Sequence, residues 1–109
     1  MANAFSSDIL IQAPDPKSAA AFYVDSLGFE VTGEEENMVS LHGQHINIFI
    51  EQGPLLGPVL EVTVDSVEAA KRRLLAKGCI VIKDEPDFPR CYVRDNYGLI
   101  YNLISHSRD

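Results

Sequence analysis

An internal repeat of about fifty residues is the feature that most constrains how this chain can fold. The residues that coincide after a shift of 50 positions are Asp15 and Asp65, Ala19-Ala20 and Ala69-Ala70, Gly28 and Gly78, and Val31 and Val81. In each copy an Asp precedes a helical stretch and a Gly follows it, as expected for helix N-caps and C-terminal turns. A repeat of this length indicates two copies of one supersecondary unit.

Each copy is predicted to fold as β-α-β-β-β. Segments that alternate between apolar and polar residues and end at turn residues are typical of strands, and the stretches between Asp and Gly have helical apolar spacing. The predicted helices are Asp15–Leu27 and Ser66–Lys77, and the predicted strands are Ser7–Gln12, Phe29–Thr32, Met38–Leu41, His45–Glu51, Val59–Val64, Cys79–Lys83, Cys91–Arg94 and Leu99–Ile104. The helix residues expected to be buried are Ala19, Phe22, Tyr23 and Ser26 or Leu27 in the first helix, and Val67, Ala70, Leu74 and Leu75 in the second.

The two copies are interpreted as modules of a single domain over residues 1–109. The first module covers about residues 5–52 and the second about residues 59–105. Residues 53–58, with two Gly and two Pro, are predicted to be a linker. Neither module is long enough to bury both faces of a four-stranded sheet alone, and a content of 46% hydrophobic and 23% charged residues suits one globular domain.

Charge and hydropathy limit the partners of the chain. Its formal net charge is −7, and its basic residues form no cluster beyond Lys71-Arg72-Arg73. Nucleic acid is therefore not expected as a partner. The chain has no apolar run of membrane-spanning length and no signal-like N-terminus, which predicts no membrane partner and a cytoplasmic location. Cys79 and Cys91 lack metal-site spacing and are expected to be reduced thiols.

Three strings make the chain resemble the vicinal oxygen chelate superfamily, which groups glyoxalase I, bleomycin resistance proteins and extradiol dioxygenases. The strings are Ala21-Phe22-Tyr23 with Leu27-Gly28-Phe29, Val62-Thr63-Val64-Asp65-Ser66-Val67-Glu68-Ala69-Ala70 with Leu75 and Gly78, and Arg94-Asp95-Asn96-Tyr97-Gly98 with Asn102-Leu103. The resemblance implies an α+β fold in which two βαβββ modules form curved mixed sheets around a cavity, with the helices outside.

The resemblance also implies four metal-ligand positions, which are typically His and Glu in the enzymes. In this sequence they fall on Asp8, Asn47, Val59 and Asn102. Valine has no lone pair and asparagine is neutral, so a single carboxylate would face the ion. Transition metals prefer imidazole or thiolate, so no metal cofactor is expected; the alternative is a weakly held divalent cation such as Ca²⁺ or Mg²⁺.

Strand alternation predicts which side chains line the cavity, because residues two apart share a face. Together with two positions that the resemblance adds, Arg90 and Tyr92, the expected ligand-binding residues are Asp8, Gln12, His45, Asn47, Phe49, Glu61, Arg90, Tyr92 and Asn102. Other interpretations stay open. The two asparagines could hydrogen-bond each other, Asp8 or water, His45 could be a satisfied strand histidine, and Arg90 could be an edge charge.

The leading hypothesis is a metal-free homodimer that binds a small molecule, cationic or antibiotic-like, in cavities built from both chains. An acidic surplus favours a cationic ligand if the charge lies in a cleft. The enzymatic alternative is a lyase, isomerase or dioxygenase of the same superfamily, in which Asp8 or Glu61 acts as a general base with or without an ion. A third alternative is an interaction module whose cavity is filled by its own side chains.

Overall fold

The computed structural model describes residues 4–85 and 90–105 of the chain. Its elements follow the order β-α-β-β-β twice, as the repeat predicts. Their bounds are β1 Ala4–Ala13, α1 Pro16–Leu27, β2 Glu30–Glu35, β3 Met38–Gly43, β4 Ile46–Gln52, β5 Leu56–Val64, α2 Val67–Ala76, β6 Ile80–Glu85, β7 Arg90–Arg94 and β8 Ile100–Ser105. The predicted α+β class and the two βαβββ modules are confirmed.

The first compact unit comprises Ser7–Pro58. Its strands lie in the order β2-β3-β4-β1; β1 pairs with β4 in parallel, and the other pairs are antiparallel. Helix α1 packs on one face of these strands. The buried core between helix and strands consists of Ala13, Ala20, Val39, Leu41, Ile48 and Ile50. Burial of the alternate β4 residues Ile48 and Ile50 on the helix side agrees with the predicted strand alternation.

Of the described residues, the second compact unit comprises 4–6, 59–85 and 90–105. It repeats the same plan, with the strand order β5-β8-β7-β6 and a parallel pair formed by β5 and β8. Helix α2 covers one face of these strands. The buried core on that side consists of Val62, Val64, Ala70, Cys79, Cys91, Val93 and Leu103. Both cysteines are free thiols within this core.

The N-cap of α1 is the predicted residue, whereas the N-cap of α2 differs from the predicted one. Asp15 is the N-cap of α1, and its Oδ1 accepts from the backbone N–H of Ser18 at 3.4 Å. In α2 the N-cap is Ser66 rather than Asp65, because the Ser66 Oγ accepts from the backbone N–H of Ala69 at 3.1 Å. Neither described helix is long and apolar enough to cross a membrane.

The predicted buried face of α1 is wrong at two positions. Phe22 and Leu27 are 58% and 63% exposed, because the residues that face the strands are Ala20, Tyr23 and Val24, one step around the helix. In α2, Leu75 is likewise exposed while Ala70 and Leu74 contact the core as expected.

Two strand bounds also differ from the predicted ones in ways that matter for the site. Strand β4 begins at Ile46, so His45 lies in the turn before it. Strand β5 begins at Leu56, inside the segment predicted to be a linker.

Candidate functional site

The face of the first unit that points away from α1 carries four of the predicted ligand-binding residues, Asp8, Gln12, Asn47 and Phe49. Residues paired across neighbouring strands share a face of the sheet. Three rows of paired residues cross the four strands in the order β2, β3, β4, β1. They are Glu30, His42, Asn47 and Asp8; Gly33, Ser40, Phe49 and Leu10; and Glu35, Met38, Glu51 and Gln12. We call this surface the acidic face, because it carries four carboxylates and no lysine or arginine.

The first of these rows contains a continuous hydrogen-bonded array. The Nδ2 of Asn47 donates to the Oδ1 of Asp8 at 2.8 Å, across the parallel β1–β4 pair. The Oδ1 of Asn47 lies 2.8 Å from the Nδ1 of His42, its partner in the β3–β4 hairpin. Asp8 is one of the partners considered for Asn47, and the structure brings these two predicted residues together.

His42 is the member of this array that sequence reasoning missed. The prediction ended one strand at Leu41 and began the next at His45, which left His42 outside both. In the structure a two-residue turn, Gln44-His45, joins β3 to β4, so that His42 pairs with Asn47 and His45 is exposed in the turn. No turn signal marked this position, because Gly43 is itself paired in β3 with Ile46 and the turn residues Gln44-His45 are not among those that typically form tight hairpin turns.

Two other predicted residues of the acidic face are buried or half-buried. Gln12 is buried, and a Cβ added at Gly53 would lie 3.0 Å from its Oε1. The side chain of Gln12 therefore packs against the backbone that follows β4. Phe49 is half-buried in the middle row, between the polar rows on either side.

In the second unit, Tyr92 is the centre of the predicted residues on the face opposite α2. Its side chain is buried, and two cations lie over its ring, with the Nζ of Lys83 5.6 Å and the Cζ of Arg90 5.7 Å from the ring centroid. Arg90 also approaches Glu85, with Nε and Oε1 3.9 Å apart. These contacts are cation–π and ion-pair interactions that orient the two basic side chains.

In the second unit, the residue paired with the β8 asparagine is not the one that the resemblance implies, whereas in the first unit Asn47 and Asp8 are paired as implied. Asn102 lies opposite Glu61 on β5, whereas Val59 lies opposite Ile100 and is buried. The Oδ1 of Asn102 accepts from the backbone N–H of Cys91 at 3.1 Å. The structure therefore places Glu61, and not Val59, next to Asn102.

Charge is distributed very unequally between the two units. Residues 7–58 contain eight Asp and Glu and one Lys, a net charge of −7, whereas residues 59–109 contain eight acidic and eight basic residues. The whole net charge of the chain thus belongs to the unit that carries the acidic face.

The turn between β7 and β8 accounts for the string Arg94-Asp95-Asn96-Tyr97-Gly98. The Oδ1 of Asp95 accepts from the backbone N–H groups of Tyr97 and Leu99 at 2.9 and 3.0 Å, and its Oδ2 accepts from the hydroxyl of Tyr101. The Tyr101 hydroxyl, followed by these backbone donors, lowers the pKa of Asp95, and the same hydrogen bond raises the pKa of Tyr101 to about 12. This motif closes the hairpin.

The sequence matches the family model of the glyoxalase/bleomycin resistance protein/dioxygenase superfamily over residues 7–90. The chain belongs to this superfamily. No curated protein is similar to it in sequence at a significant level.

Solved structures share the fold of this superfamily member. A hypothetical protein from Bacillus halodurans is 20% identical with a TM-score of 0.64, and the match covers 100% of this chain and 98% of that one. A glyoxalase/bleomycin resistance protein/dioxygenase superfamily member from Vibrio splendidus is 18% identical with a TM-score of 0.63, covering 94% and 99%. The Mn(II)-bound glyoxalase from Novosphingobium aromaticivorans is 23% identical with a TM-score of 0.58, covering 91% of this chain but 38% of that one.

The donor set of this superfamily member does not fit a transition metal at the four implied positions. Both amide oxygens already have partners: that of Asn47 contacts His42 and that of Asn102 accepts from Cys91. Val59 has no donor atom, and Asp8 accepts from the Asn47 amide. Within residues 4–85 and 90–105, no group of three or more His, Cys, Asp or Glu is arranged to hold a metal ion.

Proposed function

We propose that this superfamily member binds a small, positively charged organic molecule on the acidic face, without a transition metal. The observation that carries the proposal is the composition of that face, with four carboxylates, no lysine or arginine, and the half-buried ring of Phe49 between the polar rows. A surface that combines one sign of charge with an apolar centre favours organic ions of the opposite sign.

The hydrogen bonds of the array support binding through side chains rather than through an ion. Asn47 and Asn102 offer a divalent cation only neutral amide oxygens, and each of these oxygens already has one hydrogen-bond partner, His42 or the Cys91 N–H. The metal-dependent activities of the superfamily therefore have less support than ligand recognition by hydrogen bonds and charge. A protein that sequesters a small molecule needs only such recognition.

The test is calorimetric titration with benzylammonium, and with benzoate as an anion of similar size. We expect benzylammonium to bind and benzoate not to bind, with affinity that falls as salt is added. Glu30→Gln, which removes the carboxylate paired with His42 across the β2–β3 hairpin, should weaken benzylammonium binding about five-fold, the effect of about 1 kcal/mol of charge attraction.

The matched control is Glu34→Gln, which removes a carboxylate on the opposite side of β2, where Glu34 pairs with the buried Val39. It should leave the affinity for benzylammonium nearly unchanged. Equal binding of benzoate, or a requirement for a stoichiometric transition metal found by elemental analysis, would contradict the proposal.

The proposal includes assembly as a homodimer. Its support is the small size of each unit and the exposure of large apolar side chains on α1, among them Phe22 and Leu27. Light scattering at micromolar concentration should report twice the chain mass of 12.1 kDa. A monomer at that concentration would refute the dimer and leave the binding proposal to its own test.

A further inference from the structure

We infer that Asp8, acting through Asn47, holds His42 in the tautomer that carries its hydrogen on Nδ1, so that the Nε2 lone pair receives an N–H of the bound cation. The inference rests on the proposed function for the class of ligand. It assigns to His42 a role in selecting ammonium ions that have an N–H over those that have none.

The positions of the hydrogens in this array follow from which groups can donate and which can only accept. An ionised carboxylate only accepts hydrogen bonds, so the Asn47 atom that lies 2.8 Å from Asp8 Oδ1 must be the NH₂ group. That choice turns the amide oxygen of Asn47 toward His42 Nδ1 at 2.8 Å. Two acceptors cannot share a hydrogen bond, and therefore Nδ1 carries the hydrogen. The reverse arrangement would require a proton on Asp8.

The other ring nitrogen of His42 is the one offered to a ligand. A neutral imidazole has one donor and one acceptor nitrogen, so a hydrogen on Nδ1 leaves the lone pair on Nε2. His42 is exposed, and no residue in the described part of the chain hydrogen-bonds its Nε2. Its row also carries the carboxylates of Asp8 and Glu30, which would balance the charge of an ammonium donor.

This arrangement distinguishes between cations of nearly equal size. Benzyldimethylammonium has one N–H, whereas benzyltrimethylammonium has a methyl group in its place. A charge-assisted hydrogen bond to Nε2 is available only to the first ion, so we expect it to bind on the order of ten-fold more tightly.

The first arm of the experiment measures the tautomer of His42 directly. Long-range ¹H–¹⁵N NMR spectra, recorded at alkaline pH and assigned with His42→Gln, should show His42 with hydrogen on Nδ1. In Asn47→Leu the ring should return to the Nε2–H form that predominates for histidine in water. Glu34→Gln, on the opposite side of the sheet, should leave the tautomer unchanged.

The second arm compares the two cations by calorimetry in the wild-type protein and in His42→Leu, which has no acceptor atom and whose folding is checked by circular dichroism. The wild-type preference for benzyldimethylammonium should disappear in the variant. A His42 with hydrogen on Nε2, or equal wild-type affinities for the two ions, would overturn the inference while leaving cation binding intact. Binding of neither ion would overturn the proposed function and the ligand part of the inference together.

Discussion

The hydroxyl of Tyr101 provides the sharpest test of the motif that closes the β7–β8 hairpin. Tyr101→Phe removes the hydrogen bond to Asp95 Oδ2 and leaves the backbone donors to Oδ1 in place. The Tyr101 side chain is only partly exposed. For this hydroxyl we expect a loss of about 1 kcal/mol in the free energy of unfolding at neutral pH. In a domain of this size that loss corresponds to a lowering of the Tm by about 4–8 °C.

The pH dependence of this loss follows from the two pKa shifts. The pKa of Tyr101 is raised from 10.0 to about 12, mainly by the hydrogen bond to Asp95, so its stabilising contribution is complete below pH 10 and disappears as pH rises through 12. The pKa of Asp95 is lowered, mainly by Tyr101, so its contribution is present above about pH 4 and disappears as pH falls through the lowered value. The difference between wild type and Tyr101→Phe should therefore be largest between about pH 4 and 10.

The assay is urea unfolding followed by far-ultraviolet circular dichroism at acidic, neutral and alkaline pH. Tyr97→Phe is the matched control, because Tyr97 is 92% exposed and contributes to the turn through its backbone N–H. A difference that stays constant from acidic to alkaline pH, or an equal loss in the control, would refute the reasoning.

Two further predictions concern single hydrogen bonds. Ser66→Ala should cost about 1 kcal/mol of stability by removing the acceptor for the Ala69 N–H, and Ser66→Asp should restore most of it; equal Tm values for the two variants would contradict the capping role. Asn102→Leu should cost about 1–3 kcal/mol, because it leaves the backbone N–H of Cys91 without its acceptor. Urea unfolding measures this loss, and unchanged hydrogen exchange at the Cys91 amide would argue against it.

The fold was more accessible to sequence reasoning than the site. Helix and strand patterns, helix caps and turn glycines act over a few residues, so the order of the elements was predicted correctly. The buried face of α1 was not, since Phe22 and Ala20 are both apolar and only the packing of the helix on its strands decides between them. Within the site, Asp8 and Asn47 were recognised as polar residues of one strand face, and the structure joins them by a hydrogen bond.

The sequence by itself determined that the chain has two βαβββ copies, because helix caps, turn residues and apolar periodicity depend on residue type and local spacing. Only the tertiary structure decided which side chains meet. Strand register depends on how a whole unit packs, and a small shift changes every partner along a strand. That register places His42 beside Asn47 and Glu61, rather than Val59, opposite Asn102.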